Sequence, residues 1–145
     1  MHRPEFKVLG IAKSKDGHLR YHVRDINKKS KGYGKTGYIT ASNKYVQSAE
    51  YTKKVKLLTV INIRGIKSYL NAKLTGKAKH HYTQGQFLKV KRIVHQGKTV
   101  KFQLTNGQYI SADKHDVQTG KIKEPKSVTV KHAINLYSDA NFKHK

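Results

Sequence analysis

The sequence predicts an all-β protein built from small tandem modules, and three observations predict it. Residues 87–118 (FLKVKRIVHQGKTVKFQLTNGQYISADKHDVQ) read as three short strands in succession. The same pattern recurs in altered form over residues 6–48, and a second motif occurs both at 59–77 and at 129–145. Val100, Phe102 and Leu104 alternate with Lys101 and Gln103. Alternation with period two sends the apolar row inward and the polar row toward water.

In chain order, Phe6, Val8 and Ile11 open the first copy and match Leu88, Val90 and Ile93 of the second. At Lys91-Arg92 the alternation slips by one residue, which predicts a β-bulge, a device that bends strands in small barrels. Asp16-Gly17 occupies the place of the turn His95-Gln96-Gly97-Lys98, and Arg20-Tyr21-His22-Val23 matches Lys101-Phe102-Gln103-Leu104. The second copy then has Asn106-Gly107, read as a two-residue type I′ hairpin turn, which needs positive φ at both central residues. In its place the first copy carries an insert from Ile26 to Thr36, read as a mobile, cationic loop tip. Tyr38-Ile39-Thr40-Ala41 matches Tyr109-Ile110-Ser111-Ala112, and Val46-Gln47-Ser48 matches Val117-Gln118-Thr119. The segments are copies of one unit.

The second motif sets the expected boundaries. One whole repeat spans residues 56–122, residues 1–55 are the back half of a preceding repeat, and residues 123–145 are the front half of a following one. Two outcomes are open: the halves stay ragged, or residues 126–145 pair with residues 6–51 and complete a second barrel. Completion is preferred, because it covers strand edges and apolar faces otherwise left bare. The repeat register does not coincide with the chain ends, which reads as a slice of something longer.

Composition narrows the function. Hydrophobic residues are only 36% of 145, so any core is thin, and each module is near the lower size limit for folding alone. Against 31 Lys plus Arg stand 8 Asp plus Glu, a net charge of +23, and no acid occurs from Tyr51 to Ala112. Such a surface calls for a polyanion. Five of the bases are arginine (Arg3, Arg20, Arg24, Arg64, Arg92). Lysine, a point charge tolerant of geometry, suits a loosely specific polymer better than bidentate readout does. Cysteine is absent, which excludes disulfides and thiolate metal sites. No apolar run approaches bilayer length, and residues 1–10 show no signal-peptide apolar core. Catalysis is not expected. The carboxylates are scattered through turns and linkers, and no phosphate-cradling glycine motif is present. His80 and His81, adjacent on a strand, would face opposite ways, so neither a metal nor any other cofactor is expected.

Taken together, GYITASNKYVQSAEY, SYLNAKLTGKAKHHYTQGQ, NLYSDANFKHK and the 87–118 string resemble the Lys/Tyr-rich repeats of surface-layer and related cell-surface proteins of lactic acid bacteria. The resemblance covers most of the chain from Phe6 onward. It implies two small SH3-like barrels from tandem repeats, with the C-terminal segment a candidate to complete the first. It further implies a secreted, non-catalytic module at the Gram-positive cell wall. Its partner would be teichoic acid, lipoteichoic acid or a wall polysaccharide, and self-association in a surface lattice is a further expectation. A basic nucleic-acid-binding module is the main competitor.

The candidate polymer-binding residues are Lys28, Lys29, Lys31, Tyr33 and Lys35 in the insert, then Lys44 and Tyr45, Lys67 and Tyr69, and the dense cluster Lys77, Lys79, His80, His81 and Tyr82. Lys89, Lys91, Arg92, Tyr109 and Lys114 complete the set. Each has a plainer reading beside it: a Lys/Gly loop is also simply soluble, and Tyr82 also suits a barrel edge with one face buried and its hydroxyl wet. The repeated tyrosines Tyr38, Tyr69, Tyr109 and Tyr137 are read first as core or groove wall.

Overall fold

Every regular element of this computed structural model, which describes residues 5–123, 125 and 127–138, is a β-strand. The described residues fall into two compact units, one drawn from Met1–Gln47 and Val128–Lys145, the other from Ser48–Ser127.

The first unit is a three-stranded antiparallel meander of β1 (Phe6–Lys13), β2 (Leu19–Asp25) and β3 (Thr36–Thr40), in that order. The Asp16-Gly17 turn closes on itself, Gly17 N–H donating to Ser14 O at 2.9 Å, with Gly17 at positive φ. The β1–β2 register shifts between Val8 and Gly10.

In the second unit, β4 (Leu57–Val60), β7 (Phe87–Gln96), β8 (Thr99–Leu104), β9 (Tyr109–Ser111) and β10 (Val117–Thr119) form one antiparallel sheet in the order β10-β4-β7-β8-β9. β5 (Ile66–Ser68) and β6 (His80–Tyr82) pair separately. A bridge joins that pair to the main sheet, with Tyr69 and Tyr109 exchanging backbone bonds of 2.9 and 2.8 Å. This is the arrangement of a small β-barrel-like domain, with the first and last strands side by side. Leu58, Val60, Phe102, Ile110 and Val117 are fully buried at its centre, and the Tyr51 ring tilts against Phe102 at 5.8 Å.

The repeat is visible as register. The bulge expected at Lys91-Arg92 is present, as a shift between Val90 and Arg92, and it matches the shift at Val8/Gly10 in the first unit. Tyr21 pairs with Ile39 as Phe102 pairs with Ile110, and His22 with Tyr38 as Gln103 with Tyr109. Val46–Ser48, the counterpart of β10, is not a strand. β10 is held by its ladder with β4, and among the described residues no strand pairs with Val46–Ser48 in that way. Among the described residues beyond Gly120 there is no strand. The rest of the segment expected to complete the first barrel, including Lys126 and residues 139–145, lies outside the described residues. The first unit's apolar face stays open: Val8 is 42% exposed where Val90 is 6%.

Two local expectations are corrected. The turn at Asn106-Gly107 is not type I′, because Asn106 has negative φ and only Gly107 is left-handed. Gly107 N–H donates to Leu104 O, and Leu104 N–H to Gln108 O, which makes a three-residue loop ending in a glycine bulge. Register is the reason. A two-residue loop would slide β9 by one position and set buried Phe102 opposite Ser111 instead of buried Ile110.

The insert, in turn, is not an open tip. The Asp25 carboxylate, buried at the end of β2, accepts the Asn27 N–H at 2.9 Å and the Ser30 hydroxyl at 2.5 Å. The Asp25 backbone carbonyl accepts the Gly34 N–H at 2.9 Å. The chain is thereby folded into successive turns around one acid.

Candidate polyanion-binding surface

The lysines reach the surface because strand alternation and turns put them there. In the first unit Lys28, Lys29, Lys31, Tyr33 and Lys35 all lie exposed on the insert, whose backbone is gathered by Asp25. Lys44 and Tyr45 share an exposed turn after β3, the ammonium 5.5 Å from the ring centre.

In the second unit the β5–β6 hairpin and its connecting loop carry the densest set. Exposed there are Arg64, Lys67, Lys73, Lys77, Lys79, His80 and His81, with no carboxylate in the segment. Strand pairing sets Lys67 opposite His81 and Ile66 opposite Tyr82. Ile66 is buried, so Lys67 and His81 face outward together. His80 and His81 point apart as neighbours on a strand must: the His80 ring lies 4.5 Å from that of Tyr82, whereas His81 Nε2 is 2.9 Å from Arg64 O. A carbonyl only accepts, so Nε2 carries the proton of that bond. Tyr82 is half-buried against the core, and its hydroxyl accepts from Asn106 Nδ2 at 3.0 Å.

The remaining candidates divide. Lys89 and Lys91 are exposed on β7. Arg92, also exposed, donates from Nε to Gln103 Oε1 at 2.6 Å. Tyr109 is half-buried and engaged through its backbone with Tyr69. Lys114 is committed inside the unit, donating to Ser48 O at 2.9 Å and lying 5.6 Å from the Tyr51 ring centre.

The described acids of the second unit leave this charge unbalanced. Glu50 Oε2 accepts the Val100 N–H at 2.7 Å, Asp113 Oδ1 accepts the His115 N–H at 2.8 Å, and Asp116 Oδ1 accepts Asn62 Nδ2 at 2.8 Å. Each is spent on backbone or turn geometry. Among the described residues the one lysine or arginine within ion-pair distance of a carboxylate is Lys101, 3.9 Å from Glu50.

Beside β5 lies an open groove lined by Arg64, Gly65, Ile66, Lys67, Tyr69, Leu74, His81, Ser111 and Asp116. Lys67, Tyr69 and His81 belong to the set expected from sequence. Arg64, Ser111 and Asp116 do not. Only Arg64 left a local signal, as part of the turn signature Asn62-Ile63-Arg64-Gly65, in which Asn62 Oδ1 accepts the Arg64 N–H and Gly65 has φ +68°. Ser111 arrives from β9 and Asp116 from the turn ahead of β10, both far along the chain. Lys121 was also missed, its Nζ 4.8 Å from the exposed Phe87 ring.

The second unit is also where the chain is similar to a known family. Residues 51–117 match the model of a domain of unknown function, DUF5776. No curated protein and no solved structure matches the chain.

Proposed function

We infer that this chain is a non-catalytic polyanion-binding module of the bacterial cell surface, which attaches a secreted protein to the envelope by holding anionic wall polymer, teichoic or lipoteichoic acid, with lysine and tyrosine side chains. The observation that carries the reading is the unpaired charge of the second unit: exposed cations cluster on the β5–β6 hairpin while nearby acids are tied up in turns and backbone bonds. A flexible polyphosphate gives up condensed counterions when lysines take their place, so affinity comes from charge density without demanding one geometry. The same electrostatics would serve a nucleic acid. The dominance of lysine over arginine and the tandem repeat favour wall polymer.

The test is capture of the full chain by delipidated Gram-positive cell walls before and after teichoic acid extraction. Capture should be strong at about 50 mM salt, fall steeply toward about 200 mM, and largely disappear after extraction. Undiminished capture by extracted walls would defeat the reading, and tighter capture by duplex DNA than by intact walls would move it to nucleic acid.

A further inference from the structure

We propose that residues 127–137 of one copy of this chain pair with the open edge of β1 in a second copy, completing its first unit by strand exchange. The contact is between copies and stands whether or not the polyanion reading does.

The second unit supplies the pattern. There the front half of the repeat meets the back half at two places. β4 pairs with β7, with Leu58 opposite Leu88 and Leu57 opposite Lys89, and Tyr69 exchanges backbone bonds with Tyr109. Residues 87–111 have their copies in β1, β2 and β3, and residues 57–69 have theirs at 127–137. Carried through the repeat, Val128 falls opposite Phe6, Ser127 opposite Lys7 and Tyr137 opposite Tyr38.

Both sides of that contact are bare in one copy. β1 is an edge strand, and among the described residues no strand lies on its outer side. On the face that holds buried Val23, the apolar Val8, Ile11 and Leu19 are exposed, Leu19 by 53% where its counterpart Val100 is 8% exposed. In the matching segment Val128 is 78% and Ile134 74% exposed, where their counterparts Leu58 and Ile66 are 0% and 8% exposed. These are two halves of one core, each facing water. The described residues from Val128 on belong to the same compact unit as β1 and form no strand there, so the pairing that the repeat calls for is left to another molecule. Strand addition to a free edge takes its affinity from backbone hydrogen bonds and its register from alternate side chains. Donor segment and acceptor edge are different parts of the chain, so a copy that gives its segment to one neighbour keeps its edge for the next. Charge gives the assembly a signature. Copies carrying +23 repel, so an apolar contact between them strengthens as salt screens them, the opposite of polyanion binding.

The chain has no cysteine, so two introduced thiols report the register alone. Lys7→Cys and Ser127→Cys, made in separate full chains and mixed, should form a covalent dimer on mild oxidation, since opposed strand residues lie about 4.5–5.5 Å apart at Cα, within disulfide reach. Lys7→Cys mixed with Lys131→Cys should cross-link about tenfold less. Sedimentation of the unmodified chain should show mass rising with concentration, and more so at about 500 mM salt than at about 50 mM. Val128→Asp, at an exposed position outside every strand, should keep the chain monomeric while the amides of β7 and β8 stay as protected as before. A monomer at every concentration and salt would overturn the proposal. So would assembly that persists in Val128→Asp, or a double variant Lys7→Cys/Ser127→Cys that closes only within single chains.

Discussion

Gly65 shows how much one residue carries. A Cβ built there would lie 2.3 Å from the Tyr82 carbonyl oxygen and 2.7 Å from His81 Nε2, and its φ is +68°. Gly76 has φ +83° with nothing within 4 Å of the same built atom. The pair separates strain from collision. Gly76→Ala should cost about 1 kcal/mol from the left-handed backbone alone. Gly65→Ala adds a clash with a β6 carbonyl held in the ladder and should cost about 3 kcal/mol, read as a shift in the urea midpoint. Equal losses would mean that β6 moves aside freely. Asp25 is the matching case in the first unit. Asp25→Ala leaves the Asn27 amide and the Ser30 hydroxyl without their acceptor, so amide exchange over residues 27–35 should accelerate while β7 and β8 stay protected. Neither role was visible in the sequence. What makes these residues matter is a contact, with Tyr82 in one case and with a folded-back loop in the other.

At the scale of elements, what the sequence disclosed well was whatever depends on period two. The alternation at Val100, Phe102 and Leu104 and its slip at Lys91-Arg92 are local consequences of which side chains go inward, and strand and bulge both stand where they were read. What stayed hidden was pairing at a distance. The Asn106-Gly107 dipeptide suits a two-residue turn, but the burial of Ile110 against Phe102 overrides it. The groove likewise depends on β9 and the turn before β10 meeting β5, which no local pattern records. The same non-local logic applies at the front edge of the second unit, where Glu50 caps the Val100 amide and the Tyr51 hydroxyl accepts the Thr119 N–H at 3.0 Å. A fragment of residues 48–127 should therefore fold with a higher urea midpoint than one of residues 56–127. The difference should be about 2–4 kcal/mol, since the shorter piece strands two amides and uncovers Phe102. Indistinguishable midpoints would make residues 48–55 a mere linker.

Across the whole molecule the governing quantity is charge without countercharge. The net charge is +23, and salt is what measures it. Each lysine that neutralises a phosphate on a flexible chain lowers the slope of log K against log salt by about 0.7. Lys73, Lys77 and Lys79 are exposed and meet no carboxylate among the described residues, so replacing all three with glutamine should leave the unfolding midpoint within about 0.5 kcal/mol of the parent. The slope should then become shallower by about 2. If Lys28, Lys29 and Lys31 on the first unit's loop are replaced instead and the slope becomes shallower by the same amount, both units bind polymer. An unchanged slope there, with the β5–β6 lysines removing their share, would confine binding to the second unit, whose hairpin carries its cations with no acid between them.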